Sequence, residues 1–290
     1  MPNEAISPSA QVKRLLRQSG LRARKSLGQH FLADASVLQT IVEAAELSPA
    51  DTVIEVGPGL GILTAELVRR AGNIVAVELD AKLASLLKRR LASPANLRVI
   101  NADVLKVSPS ELLEGTSHYK VVANLPYYIT SPVLRYFVEA SPKPSLMVVM
   151  VQKEVGEAIV AGQGKMSLLA VSLQAYSKPS IISHVPAQCF YPKPKVDSVI
   201  VRFDLLPEPA VKVADMDGFF DLARAGFSSP RKQLHNSLAR SLGMKPAEIT
   251  LLLEGANIDS KRRAETLSLE EWARLYEVRE TAKGEMDASV

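Results

Sequence analysis

The stretch Asn124-Leu-Pro-Tyr127 combines the groups needed to hold a flat base that carries an exocyclic amine. The side-chain oxygen of Asn124 can accept one N–H of such an amine, and a backbone carbonyl held by the fixed φ of Pro126 can accept the other. Tyr127 offers an aromatic face on which the base can stack. With both N–H bonds directed, the nitrogen lone pair is aimed at an electrophile, so catalysis would depend on placement and electrostatics rather than on a strong general base. An ordinary Asn-x-Pro turn, with a tyrosine that covers the sheet edge, is the alternative, and the tetrapeptide alone does not decide between the two.

The elements that precede the tetrapeptide predict where it lies. Val121 and Val122 are β-branched and lead directly into it, which indicates a buried strand that ends at Asn124. Earlier strands are predicted at 51–56, 73–77 and 97–100. In an open α/β sheet, ligands bind at the carboxyl ends of the strands, so we expect the loops after these four strands to form one site.

A glycine-rich loop follows the first of these strands. Gly57, Gly59 and Gly61 lie between the strand at 51–56 and a helical pattern over 62–70. This context is the one that a nucleotide-binding loop requires, because glycines permit a tight turn and a close approach of ligand to backbone near a helix N-terminus. The Gly-x-Gly-x-Gly spacing differs from the dinucleotide pattern Gly-x-Gly-x-x-Gly. With acids after the next strands, it favours S-adenosylmethionine over a nicotinamide cofactor.

Acidic residues follow the second and third strands. Glu78 follows the glycine loop at nearly the sequence spacing at which an acid binds the ribose hydroxyls in such folds. Asp80 is the nearby competitor, although it is better placed to cap a helix over 81–91. Asp103 can accept from an adenine amine, and a turn-capping aspartate is the alternative.

Composition limits the class of protein. The apolar fraction of 47% allows a substantial core, and the length of 290 residues allows one large domain or a large and a small one. Cys189 is the only cysteine, so neither an intrachain disulfide nor a cysteine metal cluster is possible, and no metal site is predicted. The N-terminus lacks the apolar run of a signal peptide, and the longest apolar run, 146–151, is too short to span a bilayer. We therefore expect a cytoplasmic protein without a membrane partner.

Charge is unevenly distributed. The formal net charge is +4, but residues 1–30 contain six Lys and Arg residues against Glu4 alone. A basic arm on a nearly neutral body suggests contact with phosphate backbones, and a solvated, disordered tail is the equal alternative for residues 1–20.

The second half of the chain predicts one further part of the site and a change of architecture. A fifth strand is predicted at 145–151, and an antiparallel pair at 179–185 and 196–203. Prolines stiffen the connection within this pair, so it can present Phe190 at the site, with a core aromatic as the alternative. After a linker at 206–209 the pattern is helical, and basic clusters there are candidates for local RNA contacts.

These stretches together resemble the KsgA-type ribosomal RNA adenine dimethyltransferases, within the wider rRNA adenine N6-methyltransferase family. The resemblance extends from about residue 22 to residue 277. The matching stretches are Ser26–Leu32, Glu55–Gly61, Val77–Glu78, Ala102–Asp103, Asn124–Tyr127, Phe190–Arg202 and Arg263–Trp272.

The resemblance implies a fold and a domain organisation. The fold is α/β, a Rossmann-like S-adenosylmethionine-dependent methyltransferase sheet with a small C-terminal all-helical domain. We expect a flexible basic arm at 1–21, the methyltransferase domain at 22–206 and the helical domain, for contact with rRNA or its particle, at 207–290.

The glycine loop and the resemblance together imply one set of cofactor-binding residues, namely His30, Leu32, Gly57, Gly59, Gly61, Glu78, Asp103 and Asn124. Within it, Gly57 would face the methionine part of S-adenosylmethionine, Glu78 the ribose hydroxyls and Asp103 the adenine amine. His30 and Leu32 would close over the cofactor, and many relatives carry Asn where His30 stands.

The resemblance implies catalytic roles for three residues. Asn124 would act at the methyl-transfer site as well as on the cofactor, while Tyr127 and Phe190 would hold the target adenine flipped out of its surroundings. The implied reaction is dimethylation of the N6 amines of two adjacent adenosines near the 3′ end of small-subunit (16S) rRNA, by a monomer acting on a pre-assembled ribosomal particle. A large-subunit rRNA methyltransferase of the antibiotic-resistance type and a non-catalytic RNA-binding assembly factor are the alternatives. The stretch Arg263–Trp272 and the helical domain favour the small-subunit type.

Overall fold

The computed structural model describes residues 8–24 and 28–287. The chain divides into two compact units, one formed by residues up to 156 together with 178–205, the other by residues 157–177 together with those from 206 onward. Two helices precede and follow the first short strand: α1 (Pro8–Gln18), β1 (Phe31–Leu32) and α2 (Ala35–Ala44). The strands and helices that alternate along the sheet are β2 (Thr52–Val56), α3 (Ile62–Val68), β3 (Asn73–Glu78), α4 (Ala81–Arg90), β4 (Leu97–Asn101), α5 (Pro109–Leu113), β5 (Lys120–Asn124), α6 (Thr130–Glu139) and β6 (Leu146–Gln152).

The remaining elements follow after β6. They are α7 (Lys153–Ile159), α8 (Leu168–Gln174), β7 (Ser177–Val185), β8 (Phe190–Tyr191), β9 (Ser198–Leu205), α9 (Met216–Gly226), α10 (Leu234–Leu242), α11 (Pro246–Gly255) and α12 (Leu269–Asp287). No helix within 8–24 or 28–287 is both long and apolar enough to cross a membrane.

A seven-stranded sheet with the order β4-β3-β2-β5-β6-β9-β7 forms the first unit. The strands from β4 to β6 in this order pair in parallel, and β9 pairs antiparallel with β6. Strand β2 is buried along its whole length, as expected for a central parallel strand covered on both faces. From β2 the chain adds β3 and β4 on one side of the sheet, and it then crosses back to add β5 on the other side of β2. The direction in which strands are added therefore reverses between β2 and β5. A crevice at the carboxyl ends of the strands opens at such a point.

Helix α1 differs from the flexible arm expected at 1–21. Residues 8–18 are helical, and Val12 and Leu16 are only 2% and 6% exposed. Their spacing of four residues gives the helix an apolar stripe, which packs in a cluster with Phe31, Leu60 and Leu83. The apolar side chains that receive this stripe lie far along the chain, which is why residues 1–21 by themselves look like a solvated arm.

The second unit is helical, and its core includes the fully buried Trp272. Residues 157–177 also belong to this unit, although the sequence predicted a helical domain that begins only at 207. One reason is that the backbone amides of Gly164 and Met166 both donate to the carbonyl of Glu265. The loop at 162–165 is thereby fixed to the helical unit.

Candidate active site

A cavity of about 170 Å³ lies at the carboxyl ends of the parallel strands in the first unit. Six chain segments line it: 28–32, the end of β2 with the glycine loop and the start of α3, the end of β3, Leu83 on α4, residues 102–105 after β4, and 124–129 after β5. Eight of the ten predicted site residues are therefore brought together: His30, Leu32, Gly57, Gly59, Glu78, Asp103, Asn124 and Tyr127. Gly61 and Phe190 do not line the cavity.

The glycine loop turns sharply under the cavity. Gly57, Gly59 and Gly61 have φ of +67°, +57° and +74°. This is the left-handed conformation, in which a residue with a Cβ would be strained. A Cβ on Gly59 would lie 3.0 Å from the Phe31 ring, so the loop also passes close to the N-terminal segment. A Cβ on Gly61 would clash with Cδ1 of Leu87, so this glycine faces α4 rather than the cavity.

The carboxylate of Glu78 is held rigidly at the tip of β3. Its Oε2 accepts from the Gly59 amide at 3.0 Å, and its Oε1 accepts from the Asp80 amide at 2.9 Å. Burial raises the pKa of Glu78 above its ordinary value, although the two amide donors favour the charged form. The side chain of Asp80 caps α4 through the Lys82 amide, as its position in the sequence predicts.

Asp103 combines the two alternatives that its position in the sequence left open. Its Oδ1 caps a short 3-10 turn by accepting from the Leu105 amide at 3.2 Å, and the same residue lines the cavity. The carboxylate is therefore fixed in place by the turn while it faces the space where a ligand binds.

The amide of Asn124 is oriented by the N-terminal segment. Its Nδ2 donates to the backbone carbonyl of His30 at 3.2 Å, which leaves its Oδ1 as the acceptor for a ligand. A second acceptor is adjacent. The carbonyl of Pro126 is occupied by the Ile129 amide, whereas no described residue donates to the carbonyl of Leu125. Asn124 Oδ1 and the Leu125 carbonyl are therefore the two acceptors available for an exocyclic amine.

The ring of Tyr127 is held at both ends. Its hydroxyl is 2.7 Å from Ser198 Oγ, and its ring stacks against His30 with centroids 5.7 Å apart and planes 25° apart. Because a carbonyl can only accept, His30 Nδ1 carries a proton and donates it to Pro192 O at 2.7 Å. Burial raises the pKa of the Tyr127 hydroxyl. The Tyr127 ring is thus preorganised as an aromatic platform. Ser198 on β9 holds its hydroxyl, and Pro192 in the proline-rich connection holds the His30 ring that stacks on it.

Phe190 is a core residue in this structure. It is 2% exposed and packs in the main apolar cluster of the first unit. Strand β8 pairs with β1 so that Phe190 lies opposite Leu32. Its burial matches the core aromatic that the sequence left open as the alternative, and its contact with a flipped base stays a prediction.

Glu55 is a cavity residue that the sequence analysis did not single out. It is 2% exposed, and no described residue forms a hydrogen bond with its Oε2. Burial, with a smaller contribution from the nearby Glu78, raises the pKa of Glu55 to about 8. An acid within the buried strand β2 was the available signal, because a buried polar group needs a hydrogen-bond partner.

Two half-exposed side chains also line the cavity without having been predicted. Leu79 follows Glu78 and is 50% exposed, and Tyr128 follows Tyr127 and is 51% exposed. Exposed apolar side chains beside acidic ones can pack against the face of a flat ring while the acids bind its polar edge. Each is a direct neighbour of a predicted residue, and this adjacency could have identified it.

The chemistry of this lining fits S-adenosylmethionine. The carboxylates of Glu78 and Asp103 can accept from hydroxyl and amine groups of an adenosine, and Leu79 can cover its ring. The Oε2 of Glu55 has no hydrogen-bond partner among the described residues, so it can bind a polar group of the ligand. Within the described ranges no group of three or more His, Cys, Asp or Glu side chains is arranged to hold a metal ion.

Comparisons with known proteins agree with this assignment. A family model described as ribosomal RNA adenine dimethylase matches residues 20–278. A ribosomal RNA small subunit methyltransferase A of Dehalococcoides mccartyi is 54% identical over 275 residues, 93% of this chain and 94% of the relative. That of Moorella thermoacetica is 42% identical over 280 residues, 93% of this chain and 97% of the relative.

Two solved structures are similar across most of the chain. A dimethyladenosine transferase from Plasmodium falciparum aligns with a TM-score of 0.71 and 26% identity, covering 87% of this chain and 98% of that one. The 23S rRNA methyltransferase ErmE aligns with a TM-score of 0.67 and 29% identity, covering 86% and 98%. The predicted fold class and the predicted methyltransferase class are confirmed. The chain belongs to the ribosomal RNA adenine dimethylase family, enzymes that use S-adenosylmethionine as methyl donor.

Proposed function

We propose that this protein dimethylates the N6 amines of two adjacent adenosines near the 3′ end of small-subunit rRNA, with S-adenosylmethionine as methyl donor. The observation that carries the proposal is the arrangement at the tip of β5. There Asn124, with its Nδ2 bonded to the His30 carbonyl, and Leu125 line the same cavity as Tyr127, Glu78 and Asp103. A donor site and an amine clamp thus share one cavity.

The residues of the chain would act mainly by placement. S-adenosylmethionine, when bound, supplies a methyl group that is already electrophilic. Glu78 and Asp103 would hold its adenosine part, and Gly57 would face the methionine part. Asn124 and the Leu125 carbonyl would each accept one N–H of the adenine amine, so that the nitrogen lone pair turns toward the methyl group.

The base itself would be held by stacking. Tyr127 would support the flipped adenine on one face, since its hydroxyl and its contact with His30 already fix the ring before the base arrives. A preorganised platform saves the entropy of ordering the ring at the moment of binding. We include Phe190 as a second support, which requires its side chain to leave the core position that it occupies here.

The choice of the small subunit is supported by the relatives. Proteins named small subunit methyltransferase A are 54% and 42% identical and match 93% of this chain. The 23S enzyme ErmE is 29% identical over a smaller share, which makes a large-subunit substrate the second candidate. We expect the protein to act as a monomer in the cytoplasm, on the small subunit or its precursor.

The test supplies isotopically labelled S-adenosylmethionine together with small or large ribosomal subunits that lack these methyl groups. Nucleoside mass analysis should find dimethyladenosine in the small-subunit rRNA at two neighbouring positions. Label found only in the large subunit would favour the second candidate. Cofactor binding without any transfer to either subunit would instead indicate a non-catalytic assembly factor.

A further inference from the structure

Helix α1 is anchored on the wall of the catalytic cavity. Its buried side chains, Val12 and Leu16, share a cluster with Phe31, Leu60 and Leu83. All three of these partners also line the cavity. The helix ends in a defined turn, where the Leu21 amide donates to the carbonyl of Leu16 at 3.0 Å. The position of α1 in the first unit is therefore set by the residues that shape the site.

The opposite face of α1 carries three basic side chains. Lys13, Arg14 and Arg17 are exposed and fall within one arc of the helix surface, at spacings of three and four residues. No ion pair joins any of the three to a residue in the described ranges. The described stretch 8–24 contains five basic residues and no acid. Nothing in this segment therefore neutralises the positive charge that it presents to solvent.

The basic face continues into a recess of about 260 Å³ beside the N-terminus of α4. Arg22, Arg24 and Lys82 line this recess. Asp80 is the acid there, but its carboxylate is already occupied, because it pairs with Arg24 at 3.2 Å and caps α4. Arg22 and Lys82 thus leave the recess positively charged.

The recess leads toward the catalytic cavity. Gln29, Phe31 and Leu83 belong to the lining of both. The basic track, defined as Lys13, Arg14, Arg17, Arg22 and Lys82, therefore runs along the first unit to the edge of the catalytic cavity.

We propose that the basic track binds phosphate groups of the RNA strand that adjoins the target adenosine. This inference rests on the proposed function, since it takes the substrate to be RNA. A polyanion matches a row of cations that form no ion pair with any residue in 8–24 or 28–287, and contacts to its phosphates set the register of the strand without reading its sequence. The track would hold the neighbouring backbone while the clamp at Asn124 and Tyr127 holds the base.

An anionic membrane surface is a poorer match for the same charges. Amphipathic helices that bind membranes insert their apolar face between lipids. The apolar face of α1 is already buried against the protein through Val12 and Leu16, so only charge would remain for binding.

The test changes two charges of the track in the full-length protein. We would compare R14Q/R17Q with the wild type for binding to small ribosomal subunits that lack the methyl groups, over a range of KCl concentrations. We expect the Kd to rise about tenfold near 0.1 M KCl and the salt slope to fall by about 1 to 2, since each lost phosphate contact removes roughly one. Affinity for S-adenosylmethionine and the Tm should remain as in the wild type.

Two control variants separate charge from structure. K88Q/R89Q neutralises two exposed cations at the end of α4, outside the track, and should bind as the wild type does. R14K/R17K keeps the charge and should retain most of the affinity. An unchanged salt slope in R14Q/R17Q, an equal loss in K88Q/R89Q, or an equal loss in R14K/R17K would each overturn the proposal.

Two further results are distinguishable. If the wild type binds the subunits through the track but transfers no methyl group, the proposed function fails and the surface stands. If R14Q/R17Q loses binding to phosphatidylglycerol vesicles while its binding to subunits is unchanged, the track serves a membrane and the proposal is refuted.

Discussion

The buried carboxyl of Glu55 makes the stability of this protein depend on pH in a way that one substitution should reveal. In the folded protein its pKa is about 8, against an ordinary value of 4.5. Between about pH 4.5 and 8, Glu55 therefore keeps its proton in the folded protein, whereas the same side chain in the unfolded chain has lost it. The contribution of Glu55 to the free energy of unfolding should therefore be most favourable below about pH 4.5 and should fall as the pH rises toward 8.

The size of this effect follows from the two pKa values. Each pH unit between them costs about 1.4 kcal/mol, so the total is on the order of 5 kcal/mol. Glu55→Gln has nearly the same shape and no ionisable group, so it removes this slope. Relative to the wild type, the variant should gain about 1.4 kcal/mol of stability for each unit of pH increase from about 5 to 8.

Urea-induced unfolding of the cofactor-free protein at pH 5.5, 6.5 and 7.5 measures this difference. We expect the gap between E55Q and the wild type to widen by about 3 kcal/mol across this series. Glu254→Gln, at an exposed position on α11, serves as the matched control and should follow the wild type at every pH. A gap that stays constant from pH 5.5 to 7.5 would refute the reasoning, because it would mean that Glu55 ionises at the same pH in both states.

Three further predictions concern the cavity and its loop. Glu78→Gln should weaken S-adenosylmethionine binding about tenfold or more by calorimetry, because it removes a carboxylate fixed by two backbone amides; unchanged affinity would remove this residue from the cofactor site. Tyr127→Phe should lower methyl transfer several-fold and leave cofactor affinity within about twofold, because only the anchor of the platform is lost; equal losses in both would contradict a separate platform. Gly61→Ala should destabilise by more than the about 1–3 kcal/mol expected for a left-handed residue, because its Cβ would also meet Leu87. Gly243→Ala has the same sign of φ and open space around it, so a Tm as low as that of Gly61→Ala would show that the contact does not matter.

The parts of the site that the sequence predicted are those fixed by strand ends. Glu78, Asp103 and Asn124 follow strands whose apolar runs are easily recognised, and parallel pairing brings strand ends to one edge. Their position in the cavity therefore needs no knowledge of side-chain packing.

Residues whose direction depends on distant packing were less predictable. Gly61 belongs to the glycine pattern, yet it faces Leu87 on α4. Phe190 is turned into the core because β8 pairs with β1. Glu55 was missed because a strand buried on both faces shows no alternation that would mark an inward-facing acid.

The basic arm illustrates a different limit. Its charge was evident from the sequence, but its order was not, because α1 is stabilised by Phe31, Leu60 and Leu83 rather than by its own residues. Short helices are marginal in isolation, so local sequence gives little sign of a helix that forms only by docking.

The most direct test of the account is the separation of cofactor binding from methyl transfer in Asn124→Ala. Calorimetry would measure affinity for S-adenosylmethionine, and single-turnover kinetics on unmethylated small subunits would measure transfer. We expect affinity to stay within a few-fold and transfer to fall at least about a hundredfold, because the variant loses the acceptor that directs the amine. Transfer within a few-fold of the wild type would contradict the claim that an adenine amine is clamped at the tip of β5.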